Sequence, residues 1–185
     1  MSLLVLNHRY TTVRHGYAPT VLYALAWDLH EPIAVAKGLR LDGVRVLLVE
    51  DDEDTREVLT LGLELQGAEV QAVGSAQAAL RAVDGFCPHV ILSDIGLPDE
   101  DGLSMIRKLR KLPAARGRIA AAAVTAFTLS DDGEEPIRAG FQRHFRKPVE
   151  TRTLFDAVAE LAALGTVERR ARERTEDDLF PDGRA

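Results

Sequence analysis

The sequence predicts an α/β fold: a doubly wound, five-stranded parallel sheet with helices on both faces. Three observations predict it. Between residues 44 and 164, short apolar runs alternate with stretches of helical period, five times in succession. The first and third runs, "VRVLLV" and "HVILSD", read as buried strands, the first buried on both faces. Carboxylates, a threonine and a lysine recur directly behind these runs, where α/β sheets place their sites.

"VRVLLV" (44–49) is β-branched and apolar and predicts the first strand. "DTREVLTLGLELQG" (54–67) carries apolar residues at helical spacing, with Gly67 as its C-terminal cap. "AEVQAV" (68–73) predicts the second strand, and "SAQAALRAVD" (75–84) a helix with Ser75 at its N-cap. "HVILSD" (89–94) predicts the third strand. "DGLSMIRKLRKL" (101–112) predicts an amphipathic helix whose basic end suits the helix dipole. "IAAAAVTAF" (119–127) is the fourth strand, 130–139 a weaker helix, and "FQRHF" (141–145) a short fifth strand. "TRTLFDAVAELAAL" (151–164) closes the unit, with Leu154, Val158, Leu161 and Ala162 on one face and Gly165 after it.

The flanks differ in character. Residues 1–43 form an N-terminal extension of unassigned structure, since about 40 residues do not bury a core unaided. Residues 165–185 are mixed in charge and poor in apolar groups, which predicts a helix extension fraying into a flexible tail. The composition of the 185 residues, 46% hydrophobic and 28% charged, is that of a soluble globular protein. A net charge of −6 argues against a general electrostatic partnership with nucleic acid, so direct DNA binding is not expected. Too few residues follow 165 for a helix-turn-helix. No run approaches the ~20 apolar residues that span a bilayer, and "MSLLVLNHRY" lacks the basic start of a secretory signal. The single cysteine, Cys87, forms no internal disulfide and is expected to be a half-buried, inert thiol. A cytoplasmic location is therefore expected.

The chemistry lies behind the strands. "LLVEDDEDT" (47–55) sets five acids in a row, Glu50 to Asp54, at the mouth of the first strand. Asp94 follows the third strand, Thr125 ends the fourth, and Lys147 with Pro148 follows the fifth. A doubly wound sheet brings these to one edge as three carboxylates, a hydroxyl and an ammonium. Three adjacent carboxylates need a counter-charge, and a hard divalent cation such as Mg²⁺ suits oxygen donors. The set fits a phosphoryl group, with metal on one side, lysine and hydroxyl on the other, and a carboxylate nucleophile. Asp52, Glu53 and Asp54 are assigned instead to the start of the first helix, where its dipole favours negative charge.

"VRVLLVEDDED", "HVILSDIGLPDEDGL", "AAVTAF" and "HFRKPV", in this order and at these intervals, resemble the receiver domain of two-component response regulators over about residues 43–164. The resemblance implies a flavodoxin-like sheet of strand order 2-1-3-4-5. It implies that Asp94 is the phosphoacceptor and that Glu50 and Asp51 hold Mg²⁺ (or Mn²⁺), Asp51 more directly. Gly96 would offer its backbone carbonyl to the metal, with Asp94 also contributing to the metal site. Thr125 and Lys147 would engage the phosphoryl group. A cis peptide bond before Pro148 would aim the lysine, and Pro98 and Gly102 match the loop after the acceptor. The implied partners are a histidine kinase or histidine phosphotransfer protein and a downstream protein target, the chain being a monomer or weak dimer. Apart from self-phosphorylation from a phosphodonor and slow self-dephosphorylation, no enzymatic activity is expected.

Some features depart from the family pattern. The aromatic switch position three residues before the lysine holds His144, followed by Phe145, and His144 reads as a partly buried packing residue. His89, opening the third strand, reads as structural. "SDDGEEPIRAG" (130–140) contains Gly133 and Pro136, which predicts a short or bent helix. Phe127 is expected to shield an acyl phosphate from water. "DEDG" (99–102) lacks the spaced ligands of a calcium loop. "DDEDT" resembles the aspartyl phosphatase pattern of haloacid dehalogenases, but Arg56 stands where Thr or Val is needed. Two further functions compete with the phosphoacceptor: a phosphorylation-independent interaction module, and a receiver detached from a hybrid sensor kinase.

Overall fold

A computed structural model describes the backbone of residues 40–126 and 134–179, and their side chains except at 114–115 and 166–179. Its elements run β1 (Arg45–Val49), α1 (Glu53–Leu65), β2 (Glu69–Val73), α2 (Ala76–Phe86), β3 (Val90–Ser93), α3 (Gly102–Arg110), α4 (Ala114–Gly117), β4 (Ala120–Thr125), α5 (Glu135–Ala139), β5 (Arg143–Arg146) and α6 (Thr151–Leu179). The strands form one parallel sheet of order β2-β1-β3-β4-β5. The predicted α/β class and strand order are those observed.

Each strand sends alternate side chains to opposite faces, and two cores result. Leu47, Val49, Ile91, Ala121 and Ala123 pack with Val83 of α2, Ile106 and Leu109 of α3, and Phe141. Val46, Leu48, Leu92, Ala122 and Val124 pack beneath Leu63 of α1 and Leu154, Val158 and Leu161 of α6. Burying one such side chain contributes roughly 1.5–3 kcal/mol, which is why positions 46–49, 90–92 and 120–124 of the inner strands are all apolar. Where α1 and α6 meet, a Cβ on Gly62 would stand 2.6 Å from the Phe155 ring, so the glycine makes room for the phenylalanine. The packed unit reaches back beyond Val44. Leu41 is fully buried and its N–H bonds the Gln66 carbonyl at 2.9 Å.

The helix ends follow local chemistry. Asp52, Ser75 and Asp101 cap α1, α2 and α3, each accepting a backbone N–H two or three residues into its helix. Helix α1 stops at Leu65, and Gly67 (φ +99°) takes the left-handed step after it. The helix expected over 130–140 is a single short turn, α5, that starts at Glu135 and so keeps Pro136 inside its first turn, where the missing N–H costs no helical bond. Residues 130–133 lie outside the described residues, as do 1–39. Helix α4, a turn inside "LPAARGR", was not predicted. Helix α6 continues past Leu164 to Leu179, so the helix extension expected there is present.

Two expectations need correction. Cys87 is exposed rather than half-buried, because it occupies a left-handed position (φ 50°) that ends α2 and turns its side chain outward, its thiol donating to the Asp84 carbonyl. His144 is also exposed rather than partly buried, since β5 is an edge strand and Phe145 takes the position facing the core.

Candidate functional site

The site forms where parallel strands end together. Val49 is in register with Ser93, and Ser93 with Ala123, so the residues after β1 and β3 emerge side by side. Chain connections leave β1 and β3 in opposite directions, which opens a crevice between them. Glu50 and Asp51 enter it from β1 and Asp94 from β3. One carboxylate oxygen from each of the three lies within 4.8 Å of the others.

Lys147 reaches the same point from the end of β5. Its backbone N–H is held by the Thr125 carbonyl at 2.9 Å, and the Lys147–Pro148 peptide is cis. The Nζ donates to Glu50 Oε2 and to Asp94 Oδ2, both at 2.7 Å. Glu50 is 3% exposed, Asp94 11% and Lys147 26%, so the two ion pairs are largely shielded from water. Asp51 and Gly96 are exposed at the rim, and Thr125 is buried at the end of β4. All six predicted residues therefore line or adjoin this crevice. Phe127 falls outside the described residues.

Electrostatics follow from the burial. Desolvation, reinforced by the charges of Asp94 and Asp51, pushes the Glu50 carboxyl above the ordinary glutamate range even though Lys147 pulls the other way. Desolvation lowers Lys147, but its hydrogen bonds and charge contacts with Asp94 and Glu50 outweigh it and hold the ammonium above its usual value. The two directions agree physically: the pocket carries more negative charge than one ammonium balances. An all-oxygen, carboxylate-rich donor set with surplus negative charge fits a hard divalent cation.

The loop after Asp94 is braced from several sides. Gly96 N–H donates to Asp94 Oδ1 at 2.9 Å and the Ser93 hydroxyl to the Asp94 carbonyl at 2.7 Å. Gly102 N–H returns to the Ile95 carbonyl at 2.8 Å, and a Cβ on Gly102 would stand 2.5 Å from the Asp94 carbonyl. Only glycine permits this approach. Three supporting residues escaped the sequence reading. Arg56 donates to the Glu50 and Asp51 carbonyls at 2.8 and 3.0 Å. Asp99 accepts from the Ala76 and Gln77 amides. Arg110 donates to the Gly117, Ile119 and Gly140 carbonyls. Arg56, one turn into α1, was the one with a usable signal, because an arginine there is within reach of the preceding loop. His89 is structural as expected, its Nδ1 accepting from the Arg45 N–H.

Comparison with known proteins agrees with this geometry. The chain is 34% identical over 141 residues to hybrid signal transduction histidine kinase D of Dictyostelium discoideum, a match covering 72% of this chain and 9% of the kinase. It is 36% identical over 119 residues to response regulator protein FleR of Pseudomonas aeruginosa, covering 64% of this chain and 24% of FleR. The chain thus spans a small part of either relative. The crystal structure of a CheY-like response regulator receiver domain protein from Methanospirillum hungatei superimposes with a TM-score of 0.62 at 27% identity, covering 68% of this chain and 98% of that one. No helix among the described residues is long and apolar enough to cross a membrane. Residues 46–159 match the family model of the response regulator receiver domain, and the chain belongs to that family of two-component signalling domains.

Proposed function

We propose that this chain is a phosphoacceptor switch with Asp94 as the acceptor, holding Mg²⁺ at its acidic pocket and working with a histidine kinase or phosphotransfer protein and a downstream effector, as receiver domains typically do. The observation that carries the assignment is the pairing of Lys147 Nζ at 2.7 Å with both Asp94 and Glu50, inside the acidic cluster.

A carboxylate oxygen of Asp94 attacks the phosphorus of a phosphohistidine on a histidine kinase or phosphotransfer protein. The new P–O bond forms as the P–N bond breaks, and the imidazole leaves with its electron pair and takes a proton. Glu50, Asp51, Asp94 and the Gly96 carbonyl would hold Mg²⁺ (or Mn²⁺). When bound, the metal supplies neutralisation of charge that builds on the phosphoryl oxygens. Lys147 stands beside the nucleophile and presents its positive charge to those oxygens, while Gly96 N–H fixes the orientation of the Asp94 carboxylate. Thr125, at the end of β4, would hydrogen-bond the transferred group.

The product acyl phosphate biases a two-state equilibrium of the β4–α5–β5 region and thereby the binding of a downstream protein. The working unit is the receiver over 44–164, extended by α6, acting as a monomer or weak dimer in the cytoplasm without direct DNA contact. Small phosphodonors load Asp94 as well, and the acyl phosphate hydrolyses slowly. Incubation with acetyl phosphate and Mg²⁺ followed by intact-mass measurement tests the assignment. A gain of one phosphoryl group in the native protein and none in Asp94→Asn is expected. Equal gain in both, or none in either, would refute it.

A further inference from the structure

Asp99 belongs to the loop that carries the acceptor but points away from the pocket. Its two oxygens accept from Ala76 N–H at 3.0 Å and Gln77 N–H at 2.9 Å, the first two amides of α2. These amides have no partner within their own helix, and the helix dipole adds to the attraction. Ser75, the resident cap of α2, binds only the next amide, Ala78 N–H at 3.2 Å. The end of α2 is therefore completed by a residue 22 or 23 positions further along the chain.

The bond fastens a loop that has few other anchors on that side. Ile95 and Leu97 are buried and hold its inner edge, while Gly96 and Pro98 stand exposed on the outer edge. The ring of Pro98 removes one backbone torsion directly before Asp99. A fixed carboxylate at Asp99 thus limits how far Gly96 can move relative to Asp94, whose Oδ1 receives the Gly96 N–H at 2.9 Å. We propose that Asp99 is a positioning residue: by clamping the acceptor loop to the N-terminus of α2, it holds Gly96 against Asp94 and keeps the Gly96 carbonyl facing the metal position. The part concerning the metal rests on the function proposed above, whereas the clamp itself does not.

The test separates clamping from helix capping, because Ser75→Ala weakens the same helix end without touching the loop. Amide hydrogen exchange at Gly96 is measured by NMR on the full, metal-free chain. Asp99→Ala is expected to speed it at least tenfold, Asp99→Asn, which keeps one acceptor oxygen, to a smaller degree, and Ser75→Ala less than twofold. Calorimetric Mg²⁺ titration of the same proteins should show at least fivefold weaker binding for Asp99→Ala and less than twofold change for Ser75→Ala. Unchanged Gly96 exchange in Asp99→Ala, or equal acceleration by Ser75→Ala, would overturn the clamp. A faster Gly96 amide with unaltered Mg²⁺ affinity would overturn its role at the metal. Failure of the wild-type chain to bind Mg²⁺ would instead refute the metal assignment, leaving the exchange result to judge the clamp.

Discussion

Lys147 is the residue on which the resting pocket turns. It gives one ammonium to two shielded carboxylates that would otherwise face each other unbalanced. Removing one partner of such a group leaves the other charges uncompensated, which costs more than the pair itself contributes. Lys147→Ala is therefore expected to lower stability by about 2 kcal/mol in chelator-treated protein, with added Mg²⁺ restoring part of the loss. Urea unfolding with and without Mg²⁺ measures both, and an unchanged midpoint would contradict the charge argument. Glu50, Asp51, Asp94, Thr125 and Lys147 could be picked out from the sequence as one proposed site because each stands at or just behind the end of a strand, and strand ends converge in a parallel sheet. Cys87 and His144 were misjudged for a local reason. A left-handed helix end and an edge strand decide their exposure, and neither is visible in residue type.

The elements are joined by side chains that meet distant backbone. Arg110, at the end of α3, is half-buried and donates to the carbonyls of Gly117, Ile119 and Gly140 and to Gln142 Oε1, tying α3 to β4, α5 and β5. Burial lowers its pKa from the ordinary arginine value without threatening its charge. Arg110→Leu leaves several carbonyls unsatisfied and is expected to cost about 3 kcal/mol, read as a lowered denaturation midpoint. The helix starts give a pH dependence. Bonds from Thr55 lower Asp52, and the Gln77 amide leads those that lower Asp99. Burial raises Asp101, but the bonds from Ser104 outweigh it and bring it below the ordinary range. Each folded value lies below the unfolded one. The stability they contribute is full above the ordinary aspartate pKa of about 4 and is lost as pH falls through the lower folded values. Unfolding free energy should therefore drop below about pH 4, and less steeply in Asp52→Asn; a pH-independent plateau down to acid would contradict this. Periodicity placed the main helices, but it was silent on Asp99, Arg110 and α4. The first two pair with backbone far away in sequence, and a single helical turn has no period to detect.

At the scale of the whole molecule, a run of five acids divides between two tasks because of topology. Asp52 caps α1 and Glu53 and Asp54 follow in its first turn, while Glu50 and Asp51 lie at the crevice between β1 and β3. The proposed acceptor, Asp94, lies 44 residues further along the chain than Glu50 and stands beside it only because β1 and β3 are neighbours. The fold was legible because the three inner strands carry continuous apolar runs and the connections leave room for one handedness. The extension of α6 past Leu164 was legible too, but not its end at Leu179, since the mixed-charge sequence there carries no apolar periodicity to mark a stop. The central claim is that this topology makes Asp94 the phosphoacceptor. Its most direct measurement is to load the protein with acetyl phosphate and Mg²⁺, reduce the acyl phosphate with borohydride, and locate the reduced residue by peptide mass spectrometry. The account predicts a single reduced residue at position 94; reduction at Glu50, Asp51 or elsewhere, with Asp94 untouched, would contradict it.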